Sequence, residues 1–128
     1  MNYSHDRLQQ ECYLHLHNSY PHLRKTFWAV INEVKPVKGE TKQQTIIRAN
    51  YLKSIGLVPG VLDFHWYYKG QMYFFDFKVG SDRLSDDQKH FIAQVKSEGG
   101  ICYEINTLDQ FVQIVAAIIS GNSLPSNI

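Results

Sequence analysis

The chain has 128 residues, of which 44% are hydrophobic and 20% are charged, and its formal net charge is +1. This composition is that of one ordinary globular domain and excludes a fibrous or disordered protein. Two cysteines cannot build a disulfide framework, so we expect a reducing, cytoplasmic environment. The sequence opens without a leader-like segment and contains no apolar run of roughly 18 residues, so we expect no membrane partner.

Apolar periodicity and capping residues predict eight elements in the order α-β-α-β-β-α-β-α. Ser85 with Gln88 and Thr107 with Gln110 are typical of capping boxes that begin the last two helices. This order predicts an α/β fold in which helices flank a mixed β-sheet on both faces. Residues 1–120 are expected to form a single domain and residues 121–128 a frayed tail. The predicted helices are 6–18, 43–55, 86–97 and 108–119, and the predicted strands are 27–31, two within 60–78, and 101–105.

Two aromatic-rich runs within residues 60–78 flank Lys69 and Gly70, which is typical of a β-hairpin with a two-residue turn. In that register Asp63 lies directly opposite Asp76. Lys78 shares the face of Asp76, because side chains alternate along a strand. Like charges at facing positions destabilise a strand pair, so we expect a cation or a proton between the two carboxylates.

A pair of acids presents oxygen ligands, which suit Mg²⁺ or Mn²⁺ rather than zinc. Lys78 could position a water molecule or stabilise charge that develops on a phosphate. The alternative interpretation is structural: Asp63 ends a strand without further purpose, and Asp76 forms a surface ion pair with Lys78. His65 shares the predicted face of Asp63, where a partly exposed strand histidine is the commoner interpretation.

Basic residues concentrate in the second quarter of the chain. Residues 22–53 include seven Lys or Arg residues and two acids. This imbalance is equally consistent with a phosphate-binding patch and with a solvated surface. The connection from Asn32 to Thr41, inside this stretch, is predicted to be a mobile loop.

Three ordered blocks resemble the VRR-NUC branch of the PD-(D/E)xK nuclease superfamily. The resemblance covers nearly the full length, since it extends upstream to the first helix and to residues 27–32, and downstream to the last helix. The sequence departs from the family pattern at Leu62, where the family name has proline, and at Asp76, where glutamate is commoner. The three blocks are Gly60-Val-Leu-Asp63, Phe75-Asp76-Phe77-Lys78 and Leu84-Ser-Asp-Asp-Gln88-Lys-His-Phe91.

The resemblance implies a restriction-endonuclease-like core that hydrolyses phosphodiester bonds in DNA with Mg²⁺ or Mn²⁺ and without a small organic cofactor. Lys78 would be the catalytic lysine, and Gln88 would support the site or contact the scissile phosphate. The implied metal ligands are Asp63, Asp76, the main-chain carbonyl of Phe77 and Glu11 of the first helix. The basic residues expected to bind DNA are Lys35, Lys38, Lys42 and Arg48.

The expected function is therefore a metal-dependent DNA endonuclease. A domain of this size covers little DNA, and junction-resolving relatives of the superfamily act as symmetric dimers, so the resemblance implies a homodimer acting on branched, flapped or junction DNA. Apolar residues of the last helix, between Phe111 and Ile118, are core residues at helical spacing and could also supply a dimer interface. The alternatives are a nicking nuclease that a partner targets and an inactive DNA-binding module of the same fold.

Overall fold

The computed structural model describes residues 4–31 and 34–128. Within these two ranges the elements follow the predicted order, with one additional 3-10 helix at Pro21–Leu23. The α/β fold with a mixed sheet flanked by helices is thereby confirmed. The helices are α1 (His5–Ser19), α2 (Lys42–Ser54), α3 (Asp86–Ser97) and α4 (Leu108–Ser120). The strands are β1 (Phe27–Ala29), β2 (Phe64–Tyr68), β3 (Gln71–Phe77) and β4 (Ile101–Ile105).

The four strands form one sheet in the order β1-β2-β3-β4. The first three are antiparallel neighbours, whereas β3 and β4 are parallel and are connected through α3. Helices α1 and α4 pack on one face of the sheet and α3 packs on the other. The carboxyl ends of the parallel pair therefore lie at the same edge of the sheet, with helices on both sides.

The β2–β3 hairpin has the predicted register, in which Phe64 pairs with Phe75 and Trp66 pairs with Tyr73. Its turn residues Lys69 and Gly70 have φ angles of 48° and 80°. Two consecutive positive φ angles are typical of a type I′ turn, whose twist matches that of the flanking strands. This turn fixes the pairing of β2 with β3. Asp63, the residue before β2, therefore lies opposite the last residues of β3.

Strand β3 separates two hydrophobic cores. Phe75 and Phe77 face the larger core under α1 and α4, while Phe74 faces the smaller core under α3. Alternation along the strand places Asp76 on the α3 side. Residues 73–77 of β3 are all buried, and Asp76 is the charged residue among them. The larger core also holds the apolar stripe of α4, namely Phe111, Ile114, Val115 and Ile118. Because that stripe is buried, these residues are not available for a dimer interface.

Two segments differ from the sequence prediction. Strand β1 ends at Ala29, two residues early, and the next amide, that of Val30, donates to the carbonyl of Asp63 at 2.9 Å. The tail after α4, expected to be frayed, lies along β4. There the Ile128 amide donates to the Cys102 carbonyl at 2.9 Å, and Ile128 packs against the smaller core. Long-range contacts of this kind leave no local signal in a short polar tail.

Helix α2 stands apart from both cores. Its Thr41–Gln44 capping box is complete, yet no residue of this fully described helix is buried. Asn32 and Glu33, which belong to the predicted mobile loop before α2, lie outside the described residues. In the described part of the chain, every helix is too short or too polar to cross a membrane.

Candidate metal centre

The carboxylates of Asp63 and Asp76 meet at the end of β3, as the hairpin register predicts. One possible ligand atom from each of them and one from His5 lie within 4.8 Å of one another. Asp76 is fully buried, and its Oδ2 has no hydrogen-bond partner among the described residues. A buried carboxylate oxygen without a donor is costly, which fits a group that binds a cation.

Lys78 lies next to this carboxylate, with its Nζ 3.0 Å from Oδ2 of Asp76. The two groups form an ion pair by distance, although the approach lacks the geometry of a hydrogen bond. The Lys78 side chain is 14% exposed and that of Asp76 is 0% exposed. The alternative of a solvated surface ion pair is therefore wrong, because both partners are largely withdrawn from water.

Gln88 connects the start of α3 to the buried acid. Its Oε1 accepts from the Ser85 amide at 2.9 Å, which completes the predicted capping box. Its Nε2 donates to Oδ1 of Asp76 at 3.3 Å. One amide group thus caps the helix and donates to the carboxylate, which places Gln88 beside the buried acid.

Gly60 brings the loop that carries Asp63 against the same helix. Its φ is +82°, and a Cβ built on it would lie 2.2 Å from the main-chain oxygen of Asp87. Both the left-handed backbone and this contact require glycine. The close approach fixes the position of Asp63 relative to Gln88, so the two sides of the site are assembled by backbone packing.

His5 is the functional candidate that the sequence interpretation missed. Its Nε2 lies 2.6 Å from Oδ2 of Asp63, and its Nδ1 lies 3.1 Å from Oδ1 of Asp6. The imidazole also packs edge-on against Phe77, with ring centroids 6.2 Å apart. As the first residue of α1, capped by Ser4, it reaches the edge of the sheet where Asp63 lies.

Glu11, the residue of α1 expected to approach the metal, is not in this cluster of ligand atoms. Its carboxylate accepts from Arg7 Nε at 3.4 Å. Glu11 lies six positions after His5, which corresponds to about 9 Å along the axis and a different side of the helix. The residue of α1 that approaches the carboxylates is therefore His5.

The three groups of the cluster perturb one another's protonation. The hydrogen bond with the Asp63 carboxylate raises the pKa of His5 to about 9, although burial opposes this effect. Burial raises the pKa of Asp76 to about 7, and the neighbouring Asp63 adds to the shift while Lys78 opposes it. For Asp63, burial favours the neutral acid, but hydrogen bonds from His5 and Asp76 hold its pKa below the ordinary value. Two carboxyl groups with divergent pKa values beside two cations are typical of a functional site.

Two clefts meet at the cluster, since His5 and Asp63 line both of them. The first has a volume of about 760 Å³ and runs between α1 and the loop of Lys35. The second has a volume of about 720 Å³ and is lined by three cations, Lys53, Lys78 and Arg83, and by two acids, Asp63 and Asp87. Such a concentration of positive charge favours an anionic ligand.

The predicted DNA-binding residues do not behave alike. Arg48 donates to both carboxylate oxygens of Glu40 at 3.0 Å and to the Lys35 carbonyl at 2.7 Å. The hydrogen bonds from Arg48 lower the pKa of Glu40 to about 2. Arg48 is thus engaged in holding its own loop, whereas the side chains of Lys38 and Lys42 are exposed and Lys35 lines the first cleft.

Two further predictions have separate outcomes. His65 does not belong to the cluster of ligand atoms in the described chain; its Nε2 approaches the Leu62 carbonyl at 3.1 Å, and its ring packs on Phe74. The carbonyl of Phe77 stays a predicted ligand, since Phe77 is the last residue of β3 between Asp76 and Lys78.

The cluster offers two carboxylates and one imidazole to a divalent cation and a lysine ammonium to a reacting group. That set is suited to hydrolysis at an anionic centre, because the cation and the ammonium both stabilise negative charge. The sequence matches no known protein family, and it matches no curated protein.

Proposed function

We propose that the protein is a divalent-metal-dependent DNA endonuclease with a restriction-endonuclease-like core of the VRR-NUC type. The observation that carries this proposal is the buried Asp76 carboxylate, which faces Asp63 and keeps one oxygen without a hydrogen-bond donor among the described residues. The ion pair with Lys78 only partly offsets the cost of burying this charge beside Asp63, since the pKa of Asp76 remains raised to about 7, first by burial. The arrangement is therefore better explained by ligand binding than by structural stability.

The side chains that would hold Mg²⁺ or Mn²⁺ are Asp63, Asp76 and His5, with the Phe77 carbonyl as a predicted fourth ligand. A bound divalent cation supplies Lewis-acid polarisation of a phosphate and an acidified water molecule. Gln88 keeps the Asp76 carboxylate oriented through its contact with Oδ1. Oδ2, the other oxygen, lies 3.0 Å from Nζ of Lys78.

Lys78 would act on the substrate and not on the cation, because an ammonium group has no lone pair to offer. Its Nζ lies at the buried carboxylate and also lines the second cleft. From this position it can orient the attacking water and stabilise charge that develops on the phosphate. Asp63, Asp76 and Lys78 are thus the proposed catalytic residues, and Gln88 is the proposed positioning residue.

DNA is the proposed substrate because cations line the clefts on both sides of the cluster. Lys35 lines the first cleft, and Lys53 and Arg83 line the second. A strand that passes from one cleft to the other brings a phosphate to the two carboxylates. Exposed Lys38 and Lys42 lie in and just after the adjoining loop and would contact flanking phosphates.

A homodimer acting on branched, flapped or junction DNA is the proposed active form. Ile47, Tyr51 and Ile55 are each at least 60% exposed and recur every fourth residue along and just after α2. This spacing places them on one side of the helix. A second copy of the chain is the proposed occupant, since two active sites are needed to cut two strands.

The test is incubation of the purified protein with Mg²⁺ or Mn²⁺ and a panel of linear, nicked, flapped and four-way DNAs. Metal-dependent incision that Lys78→Ala abolishes supports the proposal. Metal and DNA binding without incision of any substrate would instead identify an inactive DNA-binding module. Single-strand incision alone would identify a nicking nuclease.

A further inference from the structure

We infer that His5 is the third side-chain ligand of the metal centre and that it makes the centre selective for Mn²⁺ over Mg²⁺. The inference rests on the metal dependence of the proposed function and deepens it, because it names the ion that the site prefers. His5 is not one of the two acids, Asp63 and Asp76, that the hairpin register predicts.

The first support is the direction of the imidazole. Nε2 of His5 lies 2.6 Å from Oδ2 of Asp63 and belongs to the ligand cluster with Asp76. The ring is held in place by its edge-on contact with Phe77. A histidine at a helix start has many solvent-facing rotamers, but this one points into the site.

The second support is the environment of the other ring nitrogen. Nδ1 of His5 lies 3.1 Å from Oδ1 of Asp6. Metal-binding histidines generally donate their second N–H to a carboxylate or a carbonyl, which fixes the ring and the tautomer. In the metal-free protein Nε2 donates to Asp63; while Nδ1 keeps its proton toward Asp6, Nε2 can release its own proton and offer a lone pair to the cation.

The third support is the unsatisfied oxygen of Asp76. A hydrogen bond between His5 and Asp63 accounts for those two residues, and Lys78 lies 3.0 Å from Oδ2 of Asp76 without the geometry of a hydrogen bond. A cation shared by the three side chains accounts for all of them. The cluster is therefore more than a group of surface acids, since one of its ligand atoms comes from the fully buried Asp76.

The chemistry of the donor set then decides the ion. Mg²⁺ prefers oxygen ligands and retains several waters, whereas Mn²⁺, the first member of the Irving–Williams series, accepts an imidazole nitrogen more readily than Mg²⁺ does, although the later transition metals bind it more strongly still. A site with one nitrogen and two carboxylates should therefore prefer Mn²⁺. Replacing the imidazole by a carboxylate should reduce that preference, because it restores an all-oxygen site.

The test measures binding and coordination without any DNA. MnCl₂ and MgCl₂ are titrated separately into the protein by calorimetry, and ¹⁴N coupling to bound Mn²⁺ is recorded by pulsed electron paramagnetic resonance. We expect ¹⁴N coupling in the wild type and its loss in His5→Gln. The Mn²⁺ affinity of His5→Gln should fall at least about tenfold, because losing even a residue that only supports a metal ligand typically costs that much. His5→Glu should bind both ions and narrow the ratio of their affinities.

The matched control is His65→Gln, which removes a neighbouring imidazole that is bonded to the Leu62 carbonyl and lies outside the cluster. It should keep both the ¹⁴N coupling and the Mn²⁺ affinity. Absence of Mn²⁺ binding, absence of coupling in the wild type, or coupling that persists in His5→Gln would each overturn the inference.

The two proposals fail separately. A protein that cuts DNA but shows no ¹⁴N coupling is a nuclease in which His5 is not a ligand. A protein that shows the coupling but cuts no DNA keeps His5 as a ligand and loses the nuclease assignment. Circular dichroism of each variant checks the fold, which an exchange at the first residue of a helix should leave intact.

Discussion

Nζ of Lys78 lies 3.0 Å from Oδ2 of Asp76, at a carboxylate oxygen that is buried and has no hydrogen bond from any described residue. The two residues are separated by one position, so the alternation of β3 places both on the α3 side of the sheet. Exposed ion pairs contribute little to stability because water screens them. This pair is shielded from water, so a change to either partner should have a measurable effect.

The first prediction concerns Lys78→Met, which keeps most of the side-chain length and removes the charge. We expect DNA cleavage to fall by at least about 10²-fold, the usual effect of losing a positioned catalytic group. Affinity for Mn²⁺ should stay the same or rise, because the variant removes a competing cation from Asp76. Single-turnover cleavage and calorimetric titration measure the two effects.

Lys89→Met is the matched control for this variant, since Lys89 is exposed on α3 and lines neither cleft that meets the cluster. It should cleave DNA like the wild type. If Lys78→Met also cleaves at the wild-type rate, Lys78 has no catalytic role.

The second prediction concerns the pH dependence of stability in the metal-free protein. The pKa of Asp76 is raised from 3.8 to about 7, so the folded protein retains a proton that the unfolded chain releases. The stability from this proton is fully present below about pH 4 and is lost as the pH rises to about 7. Asp76→Asn does not titrate and should gain stability relative to the wild type across this window, on the order of a few kcal/mol. Thermal denaturation from pH 4 to pH 8 measures the difference.

Asp63→Asn should change the stability of the protein in the opposite direction. The pKa of Asp63 is lowered, with hydrogen bonds from His5 and Asp76 outweighing burial. Its contribution is therefore present above the ordinary carboxyl pKa and is lost as the pH falls through the lowered value. This variant should be less stable than the wild type at pH 8. Parallel pH trends in the two variants would contradict the protonation states assigned to the pair.

The carboxylate pair and Lys78 could be predicted from sequence because their placement depends on local rules. A two-residue turn at Lys69 and Gly70 fixes the register, and alternation then fixes the faces. The predicted pairing of β2 with β3 is the observed one. The capping box with Ser85 predicts that Gln88 lies in the first turn of α3, whereas its place in the site is implied only by the family resemblance.

His5 could not be predicted in the same way. Its approach to Asp63 spans 58 positions and depends on where α1 packs along the sheet, which no local pattern encodes.

The count of basic residues in the second quarter of the chain was a misleading guide to DNA-binding residues for a related reason. Arg48 contributes to the basic excess, but Glu40, eight positions earlier, engages it by hydrogen bonds to both carboxylate oxygens. Net charge along a segment does not reveal which cations are already paired.

The third prediction concerns DNA affinity as a function of salt. Replacing Lys35, Lys38 and Lys42 together by alanine should reduce the slope of log affinity against log salt by about one unit per lost phosphate contact. Arg48 is left in place because its pairing with Glu40 makes it a structural residue of the loop. Fluorescence anisotropy with a labelled duplex at several salt concentrations measures the slope.

The control for the salt experiment carries the same change of charge elsewhere. Lys69, Lys89 and Lys96 are exposed on the hairpin turn and on α3. Their triple replacement by alanine should leave most of the slope in place. Equal slopes in the two triple variants would mean that only net charge matters and that the patch is a solvated surface.

The last prediction concerns self-association through α2. Ile47 and Tyr51 are 60% and 61% exposed, and their four-residue spacing places them on one side of the helix. Exposed apolar groups on one side of a helix are typical of an interface. Ile47→Glu combined with Tyr51→Glu should convert a dimer to a monomer in light scattering after size exclusion, with little change in melting temperature.

Tyr67→Glu is the matched control, because Tyr67 is also 50% exposed but lies on the hairpin. If the monomeric variant still incises both strands of a four-way DNA at the wild-type rate, the dimer is not the active form. A wild type that is monomeric at micromolar concentration would exclude the interface itself.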